Sequence, residues 1–191
     1  MNNTLLDYAL IYADLGWRML PTKKDKSPLI GSWRKDCTDK KEKLEEWFDK
    51  RPHNGIGIAC EESNLFVLDL DVKENKNGII ALEQLEAEHE PLPETLVADT
   101  QNGGRHYYFN RPDGGVQNSV DKIAKGIDVR CNGGYAIAPP SFCQTKSGYV
   151  WYDNEPNEVP IADVPEWLLN LARNQVADII DRKSTRLNSS H

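Results

Sequence analysis

Apolar positions recur along this chain with two different periods. Leu5, Leu6, Ala9, Leu10 and Ala13 fall three and four residues apart, the spacing of one helix face, and Gly16 follows as a stop. A short strand is expected from Trp17 to Leu20. The stretch from Pro21 to Asp36, rich in Lys, Pro and Gly, reads as a loop. Thr38 or Asp39 can then cap a second helix running through Leu44, Trp47 and Phe48. Two apolar runs follow, "GIGIA" at 55–59 and "NLFVLDLDV" at 64–72, with a polar turn between them, and a helix is expected over 78–89, ending before Pro91.

Beyond Pro91 the period shortens to two. "TLVADTQ" (95–101), "RHYYFN" (105–110), "GIDVR" (126–130), "GYAIAPP" (134–140) and "GYVWY" (148–152) are short strand patterns broken by Gly, Asn or Pro. Pro165 to Ala177 reads as a closing helix. Strands that follow one another through tight glycine turns favour antiparallel pairing, so the expected class is α+β with a mostly antiparallel sheet and flanking helices. Residues 181–191, "DRKSTRLNSSH", carry no apolar period and are set aside as a frayed or extraneous tail.

One strand breaks its own pattern. In "LDLDVKE" (68–74), Leu68, Leu70 and Val72 take one face, while Asp69 and Asp71 share the other, their backbone positions roughly 6–7 Å apart. Two carboxylates facing a partly dry site repel, and one tends to keep its proton. A divalent cation reverses that preference, and Mg²⁺ or Mn²⁺ typically takes carboxylate oxygens together with substrate phosphates. The plainer reading is an edge strand whose aspartates face water.

Two further stretches bear on that choice. In "QNGGRHYYFN" Gly103 and Gly104 fit a tight turn, after which His106, Tyr108 and Asn110 alternate with Arg105, Tyr107 and Phe109. A histidine just after such a turn can donate to a phosphate oxygen. In "KGIDVRCNGG" Asp128 and Arg130 share a face opposite Ile127 and Val129, either as a surface ion pair or as a third carboxylate beside a cation for phosphate.

Composition narrows the setting. The 191 residues, 39% apolar, are enough for one core and need no staples. Cys37, Cys60, Cys131 and Cys143 lie far apart with no C-x-x-C pair, and neither a signal peptide nor an apolar run of about 18 residues occurs, which implies a soluble cytoplasmic protein with reduced thiols and no membrane partner. A formal charge of −7 argues mildly against a protein that coats nucleic acid through a basic surface. Lys23, Lys24, Lys26, Arg34 and Lys35 nevertheless crowd one early loop.

The ordered set "ALIYADLGWRMLP", "KDKSPLIGSW", "NGIGIA", "LFVLDLDV", "TLVADTQNGGRHYYF", "GIDVRCNGGYAIAPPS" and "GYVWY" resembles the bifunctional DNA primase/polymerase N-terminal (prim-pol) domain of the archaeo-eukaryotic primase superfamily, found on plasmids, phages and integrated elements. The resemblance runs from about residue 5 to 170. It implies one catalytic domain over residues 1–180, with an RRM-like catalytic lobe and a small N-terminal α/β lobe sharing a cleft. It also implies a template-dependent nucleotidyltransferase that joins dNTPs or NTPs to a primer 3′-hydroxyl on a DNA template.

Carried onto this sequence, the resemblance makes Asp69, Asp71 and Asp128 ligands of two Mg²⁺ or Mn²⁺ ions and His106 a contact to the nucleotide phosphates. Arg130, Arg105 and Lys26 are the further candidates for the triphosphate, and strand parity prefers Arg130 to Arg105. Lys26 and Pro28 match the family's early Lys-x-Pro loop. Gly104 stands where relatives often carry serine, leaving a backbone N–H as the available contact. Trp33, Tyr107 and Tyr135 can stack on bases or pack in the core.

Residues 110–127 hold neither Cys nor His, so no structural zinc is expected. No G-x-x-x-x-G-K-[ST] occurs, so a helicase would be a separate partner. The helical accessory region that some relatives use to initiate primers is expected to be absent or cut short, which favours gap filling or primer extension over efficient unprimed synthesis. A metal-dependent nuclease and a non-catalytic replication-initiation module that binds single strands are the competing classes.

Overall fold

The computed structural model describes residues 4–51, 53–142 and 148–174. Helix α1 (Leu5–Asp14) begins with a reciprocal cap: the Thr4 hydroxyl accepts the Asp7 N–H, and the Asp7 carboxylate accepts the Thr4 N–H. Strand β1 (Met19–Thr22) starts two residues later and ends two residues later than expected. The expected loop over 21–36 therefore gives up Pro21 and Thr22 to β1, and it carries a helical turn, α2 (Trp33–Asp36). The second long helix is α3 (Lys41–Leu44) continued by a π-helical turn, Glu45–Asp49, without a side-chain cap from Thr38 or Asp39.

Strands β2 (Gly55–Ala59) and β3 (Leu65–Leu70) coincide with the two apolar runs. After β3 comes a small hairpin, β4 (Val72–Lys73) with β5 (Lys76–Asn77), and then α4 (Gly78–Glu88), capped by the Asn77 side chain. The rest is β6 (Leu96–Asp99), β7 (Arg105–Asn110), β8 (Ser119–Ala124), β9 (Ile127–Arg130), β10 (Tyr135–Ala138), β11 (Val150–Trp151), β12 (Ala162–Asp163) and a helix α5 over 166–174. The last part of the expected closing helix and the 181–191 tail lie outside the described residues, as does Cys143.

The strands form two main sheets, and chain order is not spatial order. A three-stranded sheet runs β1-β2-β10 and a seven-stranded sheet runs β11-β6-β7-β3-β9-β8, with β12 beside β7. Every pairing in these two sheets is antiparallel except β12 with β7. This is an α+β fold in which β3 lies in the middle of the large sheet, not at an edge.

Burial on both faces of β3 explains its sequence. Phe66, Leu68 and Leu70 join Phe109, Ile127 and Val129 against Leu82 of α4 and Trp167 and Leu168 of α5. On the opposite face Leu65 and Val67 pack with Tyr108, Leu96 and Ala98 beneath α1 and the small sheet, where Tyr12, Met19, Phe48, Ile56 and Ile58 complete the core. Burying side chains of this size contributes about 1.5–3 kcal/mol each. Tyr12 is the polar tie across that layer: its hydroxyl donates to the Pro139 carbonyl (2.6 Å) and accepts from the Trp151 indole N–H (2.9 Å). Among the described residues no helix is long and apolar enough to cross a membrane.

Candidate active site

Along the small-sheet face, β3 reads Leu65, Val67, Asp69, and then Asp71 just beyond the strand end. The apolar members sit under the small sheet; the acidic ones lie where that cover opens into a cleft of about 510 Å³. Asp69 is the cross-strand partner of His106 on β7 and, on its other side, of Asp128 on β9. Three residues from separate segments thus form one row, with adjacent Cβ atoms roughly 4.5–5.5 Å apart. Asp71 is held by its backbone, donating its N–H to the Gly126 carbonyl and accepting the Gly78 N–H, both at 2.8 Å.

The row is wired by charge. His106 Nε2 lies 3.2 Å from Asp69 Oδ1; an Arg130 guanidinium nitrogen lies 2.8 Å from Asp128 Oδ2 and 3.7 Å from Asp69 Oδ2. Burial alone would push the Asp69 carboxyl up, but His106, Arg130 and Lys26 together outweigh it and hold Asp69 below the usual range. Asp128 goes the other way. Burial raises it, the Asp121 N–H and Arg130 oppose that only in part, and the charges of Asp69 and Asp71 add to the rise. His106 is 5% exposed, and its Nδ1 has no hydrogen-bond partner among the described residues.

The small sheet's side of the cleft contributes Lys26, Trp33 and Tyr135. Lys26 has a φ of 71°, a left-handed conformation uncommon for a residue with a side chain. The Tyr135 hydroxyl fixes it by donating to its carbonyl at 2.8 Å, and the ammonium lies 5.6 Å from the centre of the Tyr149 ring. Trp33 and Tyr135 meet edge to face at 5.0 Å. Tyr149 also packs against the His106 ring, and burial, with Asp69 and Asp71, pushes its phenol well up.

Two expected nucleotide contacts do not line this cleft. Arg105 leaves β7 on the other face, bonded to Asp99 (3.1 Å) with its guanidinium 4.2 Å from the Tyr152 ring centre. Gly104 is buried, and a Cβ there would collide with the Leu70 carbonyl, so its glycine serves the close passage of two backbones. Tyr107 shares Arg105's side and packs against the α4–α5 core. The cleft is also lined by residues that the sequence does not single out, among them Lys73, Lys76, Asn118, Val120 and Tyr149, and Asp121 joins it through Lys76. Only the lysine-rich "VKENK" after the acidic pair hinted at any of them.

Asp69, Asp71 and Asp128 are an all-oxygen donor set facing one cleft, the type that hard divalent ions such as Mg²⁺ and Mn²⁺ accept. Their negative charge is at present answered by side-chain cations. Arg130 serves Asp69 and Asp128, while Lys73 and Lys76 both reach Asp71 Oδ2 at 3.0 Å. Among the described residues no three His, Cys, Asp or Glu side chains converge as a ready-made metal cage. The donors suit the ions by type.

Residues 9–167 match the family model of the bifunctional DNA primase/polymerase N-terminal domain, called Prim-Pol. The chain belongs to that family. Prim-Pol membership implies primase/polymerase activity, with nucleotides and DNA as substrates, and Prim-Pol proteins generally use divalent metals. A search of curated proteins finds no match.

Proposed function

We propose that the cleft is a template-dependent nucleotidyl-transfer site that extends a primer 3′-hydroxyl with nucleoside triphosphates by two-metal chemistry. One observation carries this reading: Asp69, His106 and Asp128 stand in a single row across three strands, with Asp71 on the same face. A family resemblance names such residues one at a time; it does not oblige them to meet.

Asp69, Asp71 and Asp128 would hold the divalent ions, which when bound stabilise the attacking and leaving oxygens of an in-line displacement at the α-phosphate. The chain's own groups position the substrate. Arg130, 29% exposed at the cleft, supplies a planar cation for phosphate oxygens, and Lys26 supplies a second from the small-sheet side. His106, which now holds Asp69, would donate to the phosphates once Asp69 is engaged elsewhere. Trp33 and Tyr135, at the other end of the cleft, offer a face for the base or the template. Fixing Asp69, His106, Asp128 and Arg130 on three adjacent strands of one sheet keeps their spacing from relaxing, which is where such sites draw most of their rate. Replication of a plasmid, phage or other mobile element is the context the family suggests.

A primed DNA template incubated with dNTPs or NTPs and Mn²⁺ tests this. The wild type extends the primer, and Asp69→Ala and Asp128→Ala lose at least about 10³-fold of that rate while still binding single-stranded DNA. Primer shortening instead of extension, abolished by the same substitutions, identifies a nuclease. No turnover, with DNA binding unaffected in either variant, identifies a non-catalytic binding module.

A further inference from the structure

The β4–β5 hairpin carries a lysine with two berths. Lys76 Nζ lies 3.0 Å from Asp71 Oδ2 and 3.1 Å from Asp121 Oδ1, and the side chain is only 13% exposed. Lys73 reaches the same Asp71 oxygen but is 57% exposed, and among the described residues Asp71 is its one ion-pair partner. The two lysines therefore differ in what holds them, although each brings one positive charge to one oxygen.

Asp121 is a perch that does not depend on Lys76. It sits where the pairing of β8 with β9 slips register, with a φ of 53° that aspartate tolerates better than most residues. Its backbone N–H donates to Asp128 Oδ1 at 3.0 Å, and its carboxylate accepts the Gly126 N–H at 2.7 Å. Bonded at both backbone and side chain, Asp121 keeps its place whether or not the lysine is there, and it keeps Asp128 oriented.

We propose that Lys76 is the resting counter-ion of the carboxylate cluster: it neutralises Asp71 in the absence of a divalent ion and yields Asp71 to that ion while remaining on Asp121. The proposal rests on the reading that Asp69, Asp71 and Asp128 hold divalent cations. Three carboxylates in one cleft repel when nothing positive stands between them. A partly buried ammonium displaced from a sole partner would give up its pairing with nothing in exchange. With Asp121 as a second partner the lysine leaves Asp71 without losing its pairing, so the exchange is nearly balanced. Asp121 thereby acts on metal loading through Lys76, as a positioning residue.

The test is a titration of the EDTA-stripped full chain with Mn²⁺ alone, followed by electron paramagnetic resonance of the free ion. Lys76→Met, and independently Lys76→Gln, binds Mn²⁺ about 10-fold more tightly than wild type, and Lys73→Met gains about 2-fold, the effect of removing one exposed charge. Asp121→Asn weakens binding several-fold in the wild-type background, and most of that loss disappears when Lys76 is Met, a coupling that general charge effects do not produce. Independent, additive effects of Lys76 and Asp121, or equal gains from Lys73→Met and Lys76→Met, overturn the proposal while leaving the metal reading intact, provided Asp71→Asn still weakens binding. Absence of Mn²⁺ binding in wild type and Lys76→Met alike overturns the metal reading and this proposal with it.

Discussion

Asp69 lives under two opposed influences, a largely buried position that disfavours its charge and the neighbouring His106, Arg130 and Lys26 that favour it, and the neighbours prevail. The sign of its contribution to stability follows. A carboxyl held below its unfolded value stabilises the fold fully above the ordinary aspartate range and loses that contribution as pH falls through the depressed value. In EDTA, the stability difference between wild type and Asp69→Asn, from urea unfolding, is therefore expected to shrink between about pH 5 and pH 2. A difference that stays flat or grows on acidification contradicts the assignment. Asp69, Asp71, His106, Asp128, Arg130 and Lys26 were legible as candidates because strand parity and motif order depend on neighbouring residues alone. Lys76 and Asp121 were not, because their meeting depends on a hairpin and a register slip 45 residues apart.

The element that organises the rest is β3, apolar on the face toward α4 and α5 and changing from apolar to acidic along the other. Its neighbour β7 can run close beside its end because Gly104 brings no Cβ to the Leu70 carbonyl. Gly104→Ala is expected to cost about 1–3 kcal/mol in urea unfolding, the range for an overpacked interior. It should lower extension as well, since the same turn sets the position of His106; full stability in the variant would contradict this packing. Strands with clean alternation or continuous apolar runs, such as β2, β3 and β7, were legible. β8 was not, since "SVDKIA" is half exposed, bulged and without alternation. The π-helical turn at Glu45–Asp49 escaped for a related reason, as its apolar Trp47 and Phe48 suit either helical period. Tyr12 belongs to this scale too. Tyr12→Phe leaves the Pro139 carbonyl and the Trp151 N–H without their partner inside the core, and is expected to lower stability by about 1–3 kcal/mol in thermal or urea unfolding.

Across the whole molecule, two sheets share one core and leave a cleft between them, with the acidic row on the large sheet and Lys26, Trp33 and Tyr135 facing it from the small one. The α+β class and antiparallel pairing were legible from short strands and tight turns, whereas the strand order was not, because placing β3 between β7 and β9 is a long-range choice that no local pattern encodes. The net charge of −7 is in keeping with a site whose carboxylates answer to divalent cations, the basic loop residues being concentrated near Lys26. Anomalous scattering from a crystal soaked with Mn²⁺ and a non-hydrolysable nucleoside triphosphate tests the central claim most directly. Manganese peaks within roughly 2.0–2.6 Å of oxygens from Asp69, Asp71 and Asp128, with the triphosphate against His106 and Arg130, are the expected result. Manganese and nucleotide bound away from that row, with the three carboxylates still paired to Arg130, Lys73 and Lys76, would contradict it.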